Sequence, residues 1–198
     1  MIDPLIRKKL NLFRDNTVEI IENGNTVYLI ENNDEGYAHL KCTVRSDALV
    51  FHAPEQNVSR YFKCDCCADK IVFKCNVERR SWELHVFEFK RKVSLDKWKK
   101  ARKQWKMATL NALMLAGIFD LKFDEMKFYI CYRQEDLLAY SANIIELKTA
   151  RIKDSFTQRL LREWKKECCV IDFEYEEKEV KFSKIILDEQ TGMGEMTL

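Results

Sequence analysis

Asp69 opens one apolar run and Glu88-Phe89-Lys90 closes the next, within the stretch DKIVFKCNVERRSWELHVFEFKR that spans residues 69 to 91. Between the two runs stand Glu78, Arg79, Arg80 and Ser81, a polar connection of hairpin length, so the turn midpoint falls near residues 78 to 80. Asp69 and Glu88 are nearly equidistant from that midpoint. An antiparallel pair therefore sets them at one level of a sheet with their carboxylates converging. Side chains alternate along a strand, so Glu88 and Lys90 share one face while Phe87 and Phe89 take the other. Two converging carboxylates repel unless a cation compensates them, and oxygen ligands suit Mg²⁺ or Mn²⁺, which retain waters for substrate and nucleophile. Such an ion polarises a phosphodiester and activates water, while Lys90 positions the attacking water or stabilises developing charge. Asp69 and Glu88 are thus the candidate metal ligands, Lys90 joins them as a catalytic candidate, and phosphodiester hydrolysis is the chemistry these residue types support.

The same residues have a plain structural alternative, in which Asp69 and Glu88 terminate strands and Lys90 begins a solvated turn. An Asp followed by Glu-x-Lys arises readily by chance in a chain with 33% charged residues. Asp65 competes with Asp69 for the role of the acid.

The surrounding elements must hold these groups. Residues 3 to 14 predict a short amphipathic helix, with Pro4 in its first turn where a missing N–H is tolerated. The runs VEIIEN, TVYLIEN, YAHLKCTV and DALVFHA, broken by Asn23-Gly24-Asn25 and Asp34-Glu35-Gly36, predict an antiparallel meander from Val18 to Ala53. Ser94 can cap a helix running to about Ala116 and ending at Gly117, because Trp98, Ala101, Trp105, Ala108, Ala112 and Leu115 recur at helical spacing. MKFYICYR (126 to 133) then reads as a largely buried strand. A short helical piece, a second long helix near 150 to 166, and the strands CVIDFEYE and EVKFSKIIL follow, and the tail TGMGEMTL is expected to fray. Two prolines, five glycines and no repeat or linker predict a single domain over 1 to 198.

With Asp69 and Glu88-Phe89-Lys90 set in this order, the chain resembles the PD-(D/E)xK, or restriction-endonuclease-like, nuclease superfamily. That resemblance implies an α/β fold: a mixed central sheet with flanking helices, here preceded by the meander. The core would be a helix, a three-strand antiparallel run carrying the motif, a crossover helix and a further strand. Residues of about 40 to 133 would supply most of it, with 134 to 198 packed on it as a helix and strands. Some branches of the superfamily carry a Gln on the crossover helix, and Gln104 lies on the corresponding predicted helix, which makes it a further site candidate that would orient groups near the metal. The Tyr that usually follows four residues later is replaced by Ala108, and Ala68 stands where a Pro often precedes the Asp. A helix acid often completes the metal site upstream, and Glu19, Glu22, Glu31 and Glu55 are not separated by sequence. The resemblance implies a Mg²⁺- or Mn²⁺-dependent nuclease of DNA or RNA, in restriction, repair or defence, and it allows a homodimer.

From Lys90 to Lys106 the sequence KRKVSLDKWKKARKQWK contains nine basic residues and one acid, so a polyanion approaching Glu88 meets positive charge. Arg91, Lys92, Lys97, Lys100 and Lys103 are the candidate nucleic-acid contacts there. Overall the balance is near neutral, 34 Lys plus Arg against 32 Asp plus Glu. Trp98 and Trp105 follow the core-facing stripe rather than a base-stacking pattern. Cys64, Cys66 and Cys67 do not reproduce a C-x2-C knuckle, and Cys168-Cys169 would point to opposite faces, so buried reduced thiols are expected rather than structural zinc. His39, His52 and His85 belong to no metal or catalytic motif, and His85 falls on the strand face opposite Glu88. No P-loop, dinucleotide-binding or nucleophile-elbow motif occurs. With no apolar run of membrane-spanning length and no secretory signal, a cytoplasmic protein without membrane contact is expected. The alternatives to the nuclease are a non-catalytic nucleic-acid- or protein-binding regulator with a nuclease-like fold and a zinc module built on the cysteines.

Overall fold

A computed structural model describes residues 2–33, 36–52, 66–137 and 155–198. It is an α/β protein with a mixed seven-stranded sheet, helices on one face and a small three-stranded sheet on the other. The first helix, α1, is Pro4–Lys9, capped by the Asp3 side chain accepting from the Leu5 N–H, and a single 3₁₀ turn continues it through Leu10–Leu12.

The next strands are β1 (Val18–Ile21), β2 (Thr26–Asn33), β3 (Gly36–Thr43) and β4 (Ala48–His52). They do not form the expected meander. Strands β2 and β3 pair as a hairpin in the small sheet, whereas β1 pairs antiparallel with β4 in the large one. The residues explain the split. In β4 both faces need cover, since Leu49 and Phe51 join the helix-side core while Ala48 and Val50 join the core beneath the small sheet. The β2–β3 hairpin buries only one face, through Val27, Leu29, Leu40 and Cys42, and folds over as that cover.

Strand β5 (Lys70–Asn76) is antiparallel to β4, and β6 (Ser81–Val93) is antiparallel to β5. Register pairs Lys70 with Phe87 and Asn76 with Ser81, which puts the turn at 77 to 80. Helix α2 (Leu95–Phe119) follows, with the Ser94 hydroxyl accepting from the Lys97 N–H. Trp98, Ala101, Trp105, Ala108 and Ala112 are buried along it, as their spacing predicted. The helix runs through Gly117 to a left-handed cap at Asp120 (φ 57°), whose N–H reaches the Ala116 and Gly117 carbonyls. Asp tolerates that conformation, so glycine was not needed as the stop.

Strand β7 (Phe123–Glu135) then lies parallel to β6. Helix α3 (Ser155–Lys166), β8 (Cys168–Asp172) and β9 (Glu177–Ile186) complete the large sheet in the order β1-β4-β5-β6-β7-β9-β8. The expected start of α3 near 150, and the short helical piece before it, lie outside the described residues. The run CVIDFEYE is strand only to Asp172, beyond which Glu174 turns with φ 72°.

The tail is ordered where fraying was expected. Met193–Thr197 forms β10, parallel to β3, and Leu198 is buried beneath the small sheet. Backbone bonds from Leu198 N–H to the Thr43 carbonyl (2.9 Å) and from Arg45 N–H to the Leu198 carbonyl (2.9 Å) hold it. No helix among the described residues is long and apolar enough to cross a membrane.

Candidate active site on the helix face of the hairpin

Register extends one step past the β5–β6 ladder to place Asp69 opposite Glu88, because Lys70 pairs with Phe87. Alternation assigns faces. Leu84 and Val86 pack in the helix-side core with Trp98 and Trp105, so Glu88 and Lys90 continue that face. Ile71 and Phe73 assign Asp69 to the same side, while Phe87 and Phe89 pack beneath the small sheet.

Glu88 is completely buried. Its Oε1 is bonded by the Lys90 ammonium, and its Oε2 is buried with no hydrogen-bond partner among the described residues. Burial, reinforced by the charge of Asp69 and only partly offset by Lys90, pushes its carboxyl well above the usual range. Asp69 is nearly as deep, and burial pushes it up to about 6 against the opposing pull of Lys90. Its Oδ2 accepts the Phe89 N–H at 2.6 Å, which fastens the end of β5 to β6 across the pair. Lys90, bonded to Glu88, with Lys70 and Lys100 acting more weakly, does not offset the cost of burying the two carboxylates, since both carboxyls are pushed up.

Gln104 reaches this place from α2. Its amide nitrogen donates to the Cys67 carbonyl at 3.1 Å, and its Oε1 is buried without a partner among the described residues. The side chain thus clamps the segment that delivers Asp69 rather than touching the carboxylates. Lys97 and Lys100 precede Gln104 by two helical turns and one on the same flank, and the charge of Lys100 acts on Glu88.

The other candidates scatter. Lys103 is exposed further round the helix, Lys92 is paired to Asp136 (2.8 Å), and Arg91 projects from the opposite face of β6, against Gly36. Of the acids considered upstream, Glu19 pairs with His52, Glu22 with Arg7, and Glu31 with Lys70 (3.3 Å) at the margin of the site; Glu31 also raises Asp69. Asp65, Glu55 and Cys64 lie outside the described residues. His85 is on the far face as expected, between the Tyr129 hydroxyl (3.0 Å) and Glu83 (3.3 Å). Sequence reading missed the influence of Lys100 on Glu88 and the anchoring pair Lys70–Glu31; the i, i+4 spacing of Lys100 and Gln104 was the available signal for the first.

Among the described residues no group of three or more His, Cys, Asp or Glu side chains is arranged to hold a metal ion. The Asp69–Glu88 pair nevertheless has the donor chemistry for a hard cation. Mg²⁺ is commonly held by one or two carboxylates with water and substrate completing its shell, and Glu88 Oε2 has no hydrogen-bond partner among the described residues. Comparisons with family models, with curated proteins and with solved structures found no match to this chain.

Proposed function

We propose that this protein is a Mg²⁺- or Mn²⁺-dependent nuclease that hydrolyses phosphodiester bonds in DNA or RNA, built on a restriction-endonuclease-like core. The observation that carries the reading is Glu88: fully buried, held by Lys90 through one oxygen, unmatched at the other, and facing a second buried acid across the hairpin. The order β4, β5, β6, α2, β7, with three antiparallel strands, a crossover helix and a parallel strand, supports the core assignment.

In this reading Asp69 and Glu88 hold the ion, which when bound polarises the phosphoryl oxygen and lowers the pKa of a water. Lys90, positioned by Glu88, orients the attacking water or balances the charge developing on the phosphate. Gln104 keeps the Cys67 carbonyl, and with it Asp69, in register. Lys97 and Lys100 meet the substrate phosphates, with Lys103 on the outer approach; Arg91 and Lys92 serve other surfaces.

Cleavage of labelled single- and double-stranded DNA and RNA with Mg²⁺ or Mn²⁺ tests this directly. The expected result is metal-dependent cutting that falls at least roughly 100-fold in folded Glu88→Ala and Lys90→Ala proteins. Cutting that survives both substitutions, or its absence from wild type on every substrate, would overturn the reading. Absent cutting with retained nucleic-acid binding would favour a non-catalytic regulator.

A further inference from the structure

A cavity that the candidate site does not use lies on the helix side of the large sheet, between α2 and the segment leading into β1. It measures about 230 Å³ and is walled by Phe13, Val18, Phe51, Asn111 and Leu115, with the exposed Arg14 at its rim. Phe13 stacks on Phe119 (centroids 5.2 Å apart) and meets Phe51 edge-on (6.0 Å), which fixes the aromatic part of the wall. His52 also borders this place, but alternation turns its ring to the other face of β4, where it pairs with Glu19 (3.1 Å).

Asn111 is the polar group that these walls do not account for. It is only 6% exposed, it borders the cavity from α2, and its amide has no hydrogen-bond partner among the described residues. Other buried polar side chains of the same helix are engaged: the Thr109 hydroxyl donates to the Trp105 carbonyl (2.9 Å) and the Gln104 amide to that of Cys67 (3.1 Å). A buried amide without partners costs stability, and an alanine or leucine at 111 would suit both the apolar walls and the helix better. The cavity is also far larger than a single water that would relieve the amide.

The cavity shares its face with the candidate site. Asn111 lies seven residues beyond Gln104, two helical turns or about 10 Å along the same flank of α2. Phe51 pairs with Ile71, two residues from Asp69 on β5, and both Phe51 and Ile71 pack on the helix side. The same helix flank and the same sheet face therefore carry the cavity at one place and Asp69, Glu88 and Gln104 at the next.

We infer that this cavity binds a single unpaired nucleobase, with the Asn111 amide on the base's hydrogen-bonding edge, Phe13 and Phe51 against its apolar surface, and Arg14 toward the attached phosphate. An amide presents a donor and an acceptor side by side, and so does the edge of a base. The volume, below the roughly 300–1,000 Å³ of sites for drug-sized ligands, suits a base rather than a longer molecule. A base inside a duplex is stacked and paired, so only a single-stranded or extruded base can enter. The inference rests on the nuclease reading for one point alone: there the base belongs to a nucleotide beside the scissile phosphate. The binding itself needs no metal, and a free nucleotide presents the same chemistry.

Calorimetry in EDTA with the four nucleoside 5′-monophosphates, and with ribose 5-phosphate as the ligand that lacks a base, tests the binding without cleavage. Anisotropy with a labelled single-stranded oligonucleotide of mixed sequence asks whether a strand supplies the base. Asn111→Ala should weaken at least one mononucleotide, or the oligonucleotide, roughly tenfold and leave ribose 5-phosphate unchanged. The ligand-free variant should melt at the wild-type temperature or above, because it loses an unpaired buried amide and gains helix propensity, so the loss of binding is not a loss of fold. A loss confined to mononucleotides assigns the cavity to a free nucleotide, and a loss for the oligonucleotide assigns it to a strand; both keep the nucleobase. No binding of either, affinities indifferent to Asn111→Ala, or ribose 5-phosphate weakened equally would overturn the proposal.

Cleavage assays on the same proteins separate the two readings. If wild type cuts nothing but Asn111→Ala loses nucleotide or oligonucleotide affinity, the base cavity stands and the nuclease falls. If Glu88-dependent cutting is found and no ligand's affinity depends on Asn111, the nuclease stands and the base cavity falls.

Discussion

Strand β6 carries two buried glutamates, Glu83 and Glu88, that face opposite sides of the sheet and meet opposite fates. Glu83, toward the small-sheet side, is surrounded by donors: Asn76 (2.9 Å), Lys127 (2.9 Å), His85 (3.3 Å) and Lys74 (3.4 Å). The His85 hydrogen bond, with Lys127 and Lys74 behind it, holds its carboxyl well below the usual range despite burial. Glu88, on the helix side, has one lysine, an acid opposite and an unmatched oxygen, and is pushed the other way. Glu88 is the deeper of the two, so it carries the larger desolvation cost with fewer donors to offset it. A carboxylate surrounded by donors contributes to stability, whereas a buried one left short of positive charge lowers it.

Substitution stability should show the largest contrast. Glu83→Ala leaves Lys74, Lys127 and His85 without their shared acceptor and should cost about 2–4 kcal/mol, read by urea denaturation. Glu88→Gln removes an under-compensated buried charge and should cost less than about 1 kcal/mol or stabilise the metal-free protein. A loss at Glu88 as large as that at Glu83 would break the comparison.

The two ends should also respond to pH with opposite signs. Asp69 and Glu88 have folded pKa values raised above their unfolded ones, so their contribution is fully present at low pH and is lost as pH rises through about 6 for Asp69 and higher for Glu88. Glu83 is lowered, so its contribution persists from neutral pH until acid pH, below the unfolded carboxyl range, removes it. His85, lowered by burial, weakens the fold as pH falls through the unfolded histidine range. It cancels in a difference between wild type and an Asp69→Asn, Glu88→Gln double variant. That difference in melting temperature should move in favour of wild type as pH falls from 8 to 5; a flat difference would sink the charge argument.

The smallest expected effect is metal stabilisation. At about ten times its dissociation constant, Mn²⁺ should stabilise wild type by about 1.4 kcal/mol, or about 3–6 °C at pH 7.5, and much less at pH 5 where protons occupy the carboxylates. Thermal scans of Glu83→Gln should retain the shift, and those of Glu88→Gln should lose it. A shift preserved in Glu88→Gln would assign the ion elsewhere.

What the amino-acid sequence determined by itself was local. The β5–β6 hairpin was legible because its partners are consecutive: turn position, register and alternation follow from the run of apolar residues around Glu78 to Ser81, and they align Asp69 with Glu88 and turn Lys90 to the same side. Helix α2 was legible for the same reason, since the stripe from Trp98 to Ala112 specifies its buried face. Tertiary structure decided what depends on partners distant in the chain. The pairing of β10 with β3 joins residues about 150 positions apart, and nothing in TGMGEMTL marks it, because hydrogen bonds to a distant strand supply the order that its weak hydrophobicity does not. Likewise, sequence placed Gln104 on the right helix, but only packing showed it bonded to the Cys67 carbonyl, and only packing surrounded Glu83 with donors while leaving Glu88 Oε2 without one. Spacing sets which side chains share a face; the desolvation and compensation of a charge depend on everything that folds against that face.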